Sequence, residues 1–360
     1  MRKWAARLFR MASTPPSRDF STLGELSVVG SDGGHHSPSE LMYPGGPGLD
    51  GGLLAPGDPI PENAGPGGRR PDWLKVRVGM GETYASVNRL MRAESLNTVC
   101  EEARCPNQGE CWTLGTATFM VLGSVCTRNC GFCAIDTGRP PVTDEDEPRR
   151  VAEAVRQMQL QHVVITMVAR DDLPDGGAAI VAETIRQIRL ATPTTGIEVL
   201  ISDLNGREQD IRTVVEARPD ILGHNVETVP RLQRPVRRRA RWDRSVFVLT
   251  HGTEVAREIG FPEMVTKTGI MLGLGETWDE VIEAMRLLRQ AEVDVLTIGQ
   301  YLRPSRQHLP LLKYYTPAEF TRLRRIGLEM GFRHVQAGPL VRSSYHAAEQ
   351  VPGRETAAAV

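Results

Sequence analysis

Six cysteines, the only ones in 360 residues, fall between positions 100 and 133. They form two triplets, Cys100, Cys105, Cys111 and Cys126, Cys130, Cys133. Thiolates are soft ligands that select zinc, copper(I) or iron-sulfur clusters. A structural zinc site closes a tetrahedron with four protein ligands, and each triplet offers three. In the second triplet the cysteines stand four and three residues apart. One short loop could therefore wrap three corners of a four-iron cubane and leave the fourth iron without a protein ligand, hence reactive. Two plainer readings compete: three disulfides, which suit a small secreted domain better than a chain of this size, and structural zinc.

Composition narrows the setting. Lys and Arg total 43 against 44 Asp and Glu, a formal charge of -1, so bulk electrostatics point to no nucleic-acid partner. No apolar run reaches the roughly 18 residues a membrane span requires, so no membrane partner is expected. The 40% hydrophobic content is ample for a buried core. Residues 1–70 are rich in Gly, Pro and Ser and lack an apolar period, so they read as a disordered or weakly ordered extension. Arg2, Lys3, Arg7, Arg10 and Arg18 precede the first acid, Asp19, which suits either an organelle transit peptide or a basic bacterial tail.

The elements that must hold the cysteines follow. Apolar runs at residues 119–122, 163–165, 197–201, 221–222, 269–272 and 295–298 read as buried strands. Between them lie helical periods such as Val151, Val155, Met158 and Val281, Ile282, Met285, Leu288. Six strand-helix alternations predict an α/β fold, a parallel sheet curling toward a full or partial (β/α)6 barrel. Chemistry in such folds sits at the C-terminal strand ends. The loop of Cys126, Cys130 and Cys133 directly follows the first strand and so lands at that face. Other strands run out into Arg170-Asp171-Asp172, His224-Asn225-Val226-Glu227, Gly273-Leu274-Gly275-Glu276 and Gln300-Tyr301. Each alone is an ordinary polar turn; four on one face make a candidate site.

The second triplet, with Phe132 before its last cysteine, resembles the signature of the radical S-adenosylmethionine (SAM) enzymes. Residues 96–107 around Cys100 and Cys105, the pair Cys111-Trp112, residues 170–177 and the terminal Arg342-Ser343-Ser344-Tyr345 resemble the lipoyl synthases, over residues 73–347 in all. That resemblance implies a partial barrel of radical SAM type, residues 118–338. Its mouth would be covered by an N-terminal segment, 71–117, and a C-terminal segment with a frayed tail, 339–360. It implies two 4Fe-4S clusters and SAM as cofactors. Cys126, Cys130 and Cys133 would hold the SAM-binding cluster. Cys100, Cys105 and Cys111 would hold an auxiliary cluster, the donor of the inserted sulfur, with Ser344 as its fourth ligand. Ser343 competes for that place, and a cap or turn hydroxyl is the commoner use of either serine.

The implied reaction inserts two sulfur atoms, at carbons 6 and 8 of an octanoyl chain on a carrier lysine, with one SAM consumed for each. Carbon-hydrogen bonds of that kind are beyond polar acid-base groups, which is why a cofactor radical is used. The implied partners are octanoylated carrier domains (E2 subunits of 2-oxoacid dehydrogenases and the H protein of glycine cleavage), an electron donor such as flavodoxin or ferredoxin, and cluster assembly or repair proteins. Phe132, Asp171, Asp172, Gly273, Gly275 and Glu276 are the candidates for SAM binding. Met167, Ala169 and Gly223 depart from the family pattern there, which puts individual SAM contacts in doubt and leaves the reaction untouched.

Seven arginines between Arg231 and Arg244 read first as a solvated surface, second as a docking site for an acidic carrier and third as a nucleic-acid site. Residues 112–118 run on without the Gly-rich insertion usual in organelle members, which favours the cytoplasm over the mitochondrial matrix. Two rivals stay open: a biotin-synthase-like sulfur inserter, which has no need of the first triplet, and a non-catalytic iron-sulfur carrier, which has no need of an open iron.

Overall fold

The alternation of apolar runs and amphipathic periods becomes ten strands in the computed structural model, which describes residues 70–76 and 81–350. The extension expected over residues 1–70, Arg70 apart, and the end of the C-terminal tail lie outside the described residues. In chain order the strands are β1 (Asn97–Thr98), β2 (Thr118–Val121), β3 (Val125–Cys126), β4 (Asp136–Thr137), β5 (His162–Met167), β6 (Gly196–Leu200), β7 (Ile221–Gly223), β8 (Val265–Leu272), β9 (Val295–Gln300) and β10 (His334–Gly338). Eight form one sheet in the order β1-β2-β5-β6-β7-β8-β9-β10. Only β1 runs antiparallel to its neighbour. β1 and β10 do not pair, so the barrel stays open on one side.

Each parallel step is bridged by a helix: Glu147–Gln157, Ala178–Ala191, Glu208–Glu216, Trp242–Glu258, Trp278–Gln290 and Pro317–Glu329. Local sequence starts these helices sharply. Thr277 with Glu280, and Thr316 with Glu319, form complete capping boxes. The helix Trp278–Gln290 buries Val281, Ala284, Met285 and Leu288. Each large apolar side chain so buried contributes about 1.5–3 kcal/mol.

All six expected strands are present, and β10 adds a seventh parallel one. Its sequence, HVQAG, buries only Val335, so it carries no apolar run to be read. β8 also begins earlier than its apolar run, because Lys267 is buried against Glu198, with Nζ 2.7 and 2.9 Å from the two carboxylate oxygens. Among the described residues no helix is long and apolar enough to cross a membrane.

Candidate active site

β3 pairs with β4 through Val125↔Asp136 and Cys126↔Thr137, which ties off the base of the second cysteine loop. At its tip the Gly131 N–H donates to the Val236 carbonyl at 3.1 Å, and the Gly131 carbonyl accepts from Leu309 N–H at 2.8 Å. A Cβ at Gly131 would lie 2.8 Å from Leu309 Cγ, so glycine permits this approach. Below the tip, the Thr127 N–H and hydroxyl both donate to the Ala169 carbonyl, at 3.0 and 2.9 Å. The loop is thus stitched to the ends of three segments that leave the sheet.

Arg128 is the central stitch. Its buried guanidinium donates to both oxygens of Asp171, at 2.8 and 2.7 Å, and to Asn205 Oδ1 at 3.0 Å, and it pairs with Asp203 at 2.7 Å. Asp203, fully buried, also takes Arg244 at 2.8 Å. Burial pushes its carboxyl upward, but the hydrogen bond and charge of Arg128 outweigh this and hold the pKa at about 2.

The first triplet assembles beside the sheet. Cys100 lies in the short helix Val99–Glu102 and Cys111 in the helix Gln108–Thr113, with Cys105 in the turn between. The three line a cavity of about 190 Å³ together with Arg342 and Ser344. Three long-range hydrogen bonds bring the C-terminal segment there. Asn107 Nδ2 donates to the Leu340 carbonyl at 2.7 Å, Tyr345 donates to Glu110 Oε1 at 3.0 Å, and His346 Nε2 lies 3.2 Å from the same oxygen. In β9, a Cβ at Gly299 would overlap the Val341 carbonyl, so that strand glycine admits the crossing backbone. Ser343 faces elsewhere and accepts from Asn225 Nδ2 at 3.3 Å.

All six cysteines are free thiols, so the competing reading of three disulfides does not hold. Burial raises the first triplet: Cys100 to about 11, Cys111 to about 12, and Cys105 upward as well. In the second triplet it raises Cys130 to about 11 and Cys133 to about 12. Thiolates therefore need cationic compensation, which a metal group supplies as it displaces the protons. Among the described residues no three His, Cys, Asp or Glu side chains converge on a single ion, as zinc with ligands at about 2.3 Å would demand. Three thiols around a cavity suit a larger group. Arg342 strengthens the fit, for it is a half-buried cation whose desolvation is countered only in part by Cys105 and Glu227. A thiolate-bound cluster brings the negative charge it lacks.

Between the triplets sits a polar bridge. Glu227 is held at φ +66 at the end of the β7 loop, with its N–H on the Gly269 carbonyl at 2.9 Å. Burial pushes its carboxyl above the usual range, against the pull of Arg237, Asn225 and Arg342. Its charge reaches Cys130 and Cys133 on one side and Arg342 on the other. Sequence reasoning put the loop of Glu227 at the mouth but gave this residue and Arg128, Asp203 and Gly299 no role. Only Gly299 carried a usable signal, a glycine inside a strand.

The other expected cofactor residues are spread around the same face. Phe132 is half-buried. Asp171 is committed to Arg128, while Asp172 takes Arg170 at 2.9 and 2.8 Å. Glu276 turns back onto its own loop, accepting from Gly273 N–H at 2.6 Å and Leu274 N–H at 3.0 Å. Gly273 and Gly275 have φ of +110 and +106, and residues 311–313 pack over them. These side chains shape the loops at the mouth. His162, which sequence reasoning passed over, lines the cavity of the first triplet; its ring lies 3.6 Å from Glu198, beyond hydrogen-bond reach.

An open sheet of parallel strand-helix units with a three-cysteine loop after its first parallel strand, and residues 120–288 matching the radical SAM superfamily, make this a radical SAM enzyme, which carries a 4Fe-4S cluster and uses SAM. Residues 60–105 match the N-terminal domain of lipoyl synthase of the radical SAM family. The lipoyl synthase of Rubrobacter xylanophilus is 57% identical over 281 residues, spanning 78% of this chain and 86% of its own. That of Bacillus mycoides is 56% identical over 284 residues, 79% of this chain and 94% of its own. The chain belongs to the lipoyl synthase family. The crystal structure of methylornithine synthase aligns over 73% of this chain and 81% of its own, at 15% identity and a TM-score of 0.45.

Proposed function

We propose that this lipoyl synthase family member inserts sulfur at carbons 6 and 8 of an octanoyl-lysine on a carrier protein, using two clusters held by its two cysteine triplets. Cys126, Cys130 and Cys133 would hold the cluster that binds SAM, and Cys100, Cys105, Cys111 and Ser344 the auxiliary one. When bound, the first cluster supplies the electron that splits SAM to methionine and a 5'-deoxyadenosyl radical, and the second supplies sulfur. The observation that carries the reading is the common cavity of Cys100, Cys105, Cys111 and Ser344. A non-catalytic iron-sulfur carrier has no use for so distant a serine, nor a biotin-synthase-like enzyme for the first triplet.

The protein's own groups position and exclude. Arg128 anchors the cysteine loop through Asp171 and Asp203, and Leu309 covers its tip. Asp171, Asp172 and Glu276 support SAM binding through the loops they brace, with Gly273, Gly275 and Phe132 as the surfaces they present. Residues 71–117 and 339–350 then act as two covers over the barrel of residues 118–338. Octanoylated carrier domains, a small electron-transfer protein and cluster-repair proteins are the partners this reaction requires. A cytoplasmic location, expected from the uninterrupted residues 112–118, belongs to the same reading.

Anaerobic incubation of the reconstituted enzyme with SAM, a reductant and an octanoylated carrier tests it. Two 5'-deoxyadenosines should form per lipoyl group, both dependent on the carrier. Cleavage of SAM with no thiolated product from any octanoyl-lysine would overturn the proposal.

A further inference from the structure

We propose that Arg234, Arg239 and Arg306 form the rim on which the carrier domain docks through an acidic face, an inference that rests on the reading of the substrate as protein-bound octanoyl-lysine. The arginine-rich segment leaves β7 at the mouth and lies along the cysteine loop, where the Val236 carbonyl receives the Gly131 N–H at 3.1 Å. It reaches farther on both sides. Arg231 Nη2 donates to the Gly275 carbonyl at 2.9 Å, and Arg239 approaches Asp171 at 3.6 Å. The opposite bank of the same loop is residues 303–309, with Leu309 N–H on the Gly131 carbonyl at 2.8 Å and His308 Nε2 3.0 Å from the Cys133 carbonyl. Cations on these two banks therefore flank the proposed SAM-binding loop.

Most of the segment's arginines have internal work. Arg231 pairs with Glu280 at 2.6 Å, Arg241 with Asp243 at 2.6 Å and Arg244 with Asp203 at 2.8 Å, while Arg237 donates to the Asn225 carbonyl at 2.9 Å. Arg237 and Arg244 are withdrawn from solvent, which corrects the plain surface reading for these two, while Arg231 and Arg241 stay on the surface with their charges paired. Arg234 is different, being exposed and without an ion pair among the described residues. Arg239 is 66% exposed, and its one acid among the described residues, Asp171, is already bound by Arg128 at 2.7 Å. Arg306, exposed on the other bank, engages among the described residues only through its backbone carbonyl, which accepts from Arg303. The acids nearest the segment are thus neutralised from within, and the outward charge at the rim is positive although the whole chain is at -1.

The substrate dictates what meets that rim. An acyl-lysine is a single side-chain arm, so its reacting carbons enter the mouth only if the carrier's body rests against the edge. Guanidinium groups favour carboxylates there through paired, charge-assisted hydrogen bonds. Complementary charge also raises the rate of encounter and falls away with salt.

Affinity of reconstituted enzyme for an octanoylated carrier, measured at low ionic strength and at about 0.15 M, tests the inference. The R234E/R306E variant should bind the carrier about tenfold more weakly at low salt, with a smaller loss at the higher ionic strength. R234Q and R306Q should each show a part of that loss. Cleavage of SAM with a short, uncharged octanoyl-lysyl peptide should be unchanged, which shows the variant to be folded and the mouth intact. Carrier affinity equal to wild type in the charge-reversed variant, or a wild-type affinity indifferent to salt, would overturn the docking surface. So would loss of polynucleotide binding with carrier affinity unaltered, which would assign the rim to nucleic acid. Failure of the wild type to thiolate either substrate counts against the functional reading instead, because the affinity arm reports docking without turnover.

Discussion

Tyr345 donates its hydroxyl to the Glu110 carboxylate at 3.0 Å across 235 positions of sequence. Burial, and then the hydrogen bond to Glu110, push the phenol up to about 12, so it remains a donor at neutral pH. Glu110 precedes Cys111, and Tyr345 follows Ser344, so this contact lays one proposed ligand beside another. Together with Asn107 on the Leu340 carbonyl, it fixes which of two adjacent serines enters the cavity.

Ser344→Ala should therefore lower sulfur insertion at least about tenfold, the scale of a lost metal-site partner, while most 5'-deoxyadenosine formation survives. Ser343→Ala, on the Asn225 side, should do far less. Product analysis by mass spectrometry alongside 5'-deoxyadenosine release distinguishes them. Equal effects from the two substitutions would remove Ser344 as the ligand.

The two triplets should separate by chemistry. Reconstituted wild type is expected to bind about eight irons, as two four-iron clusters. Changing Cys126, Cys130 and Cys133 together to Ala should leave about four and abolish SAM cleavage. Changing Cys100, Cys105 and Cys111 should also halve the iron yet spare abortive SAM cleavage. Lipoyl formation by that second variant would end the assignment of sulfur supply to the first triplet.

Arg128→Leu removes the main partner of Asp203, a carboxylate that is fully buried. The expected loss is about 3–5 kcal/mol, as for a buried pair broken from one side. Arg128→Lys should recover little, since an ammonium cannot serve Asp171, Asn205 and Asp203 in their separate directions. Chemical denaturation of the protein measures both, and a change under about 1 kcal/mol in the Leu variant would show the pair to be dispensable.

His224 predicts a pH dependence. Its Nδ1 lies 2.8 Å from the Ile201 carbonyl and its Nε2 3.0 Å from Ser245 Oγ. Burial first, and then the Arg237 charge, lower its pKa to about 4. Because the folded value lies below the unfolded one of about 6.5, the unfolded chain takes up the proton first as pH falls. Stability is intact above pH 6.5 and declines toward pH 4, by up to about 3 kcal/mol from this group. Urea midpoints at pH 7 and pH 5 should show a smaller decline in His224→Gln than in wild type. Parallel declines would acquit this histidine.

The sequence by itself determined the chemistry on offer and the frame that presents it. Thiol spacing, apolar periods and capping residues such as Thr277 and Thr316 act over a few residues, so they can be read in order along the chain. That was enough for six parallel strands and for a cysteine loop at the strand ends. The tertiary structure alone decided which distant groups meet. β10 was hidden because an edge strand with a single buried residue, Val335, has no apolar signature. Arg128 and Asp203 looked like ordinary loop charges until folding withdrew them from water, where a charge survives only beside its partner. Ser344 was already expected ahead of Ser343 from the family resemblance, but which side of the backbone each serine occupies is set only by folding, through the contacts at Leu340, Val341 and Tyr345 that lay Ser344 on the cavity of the first triplet.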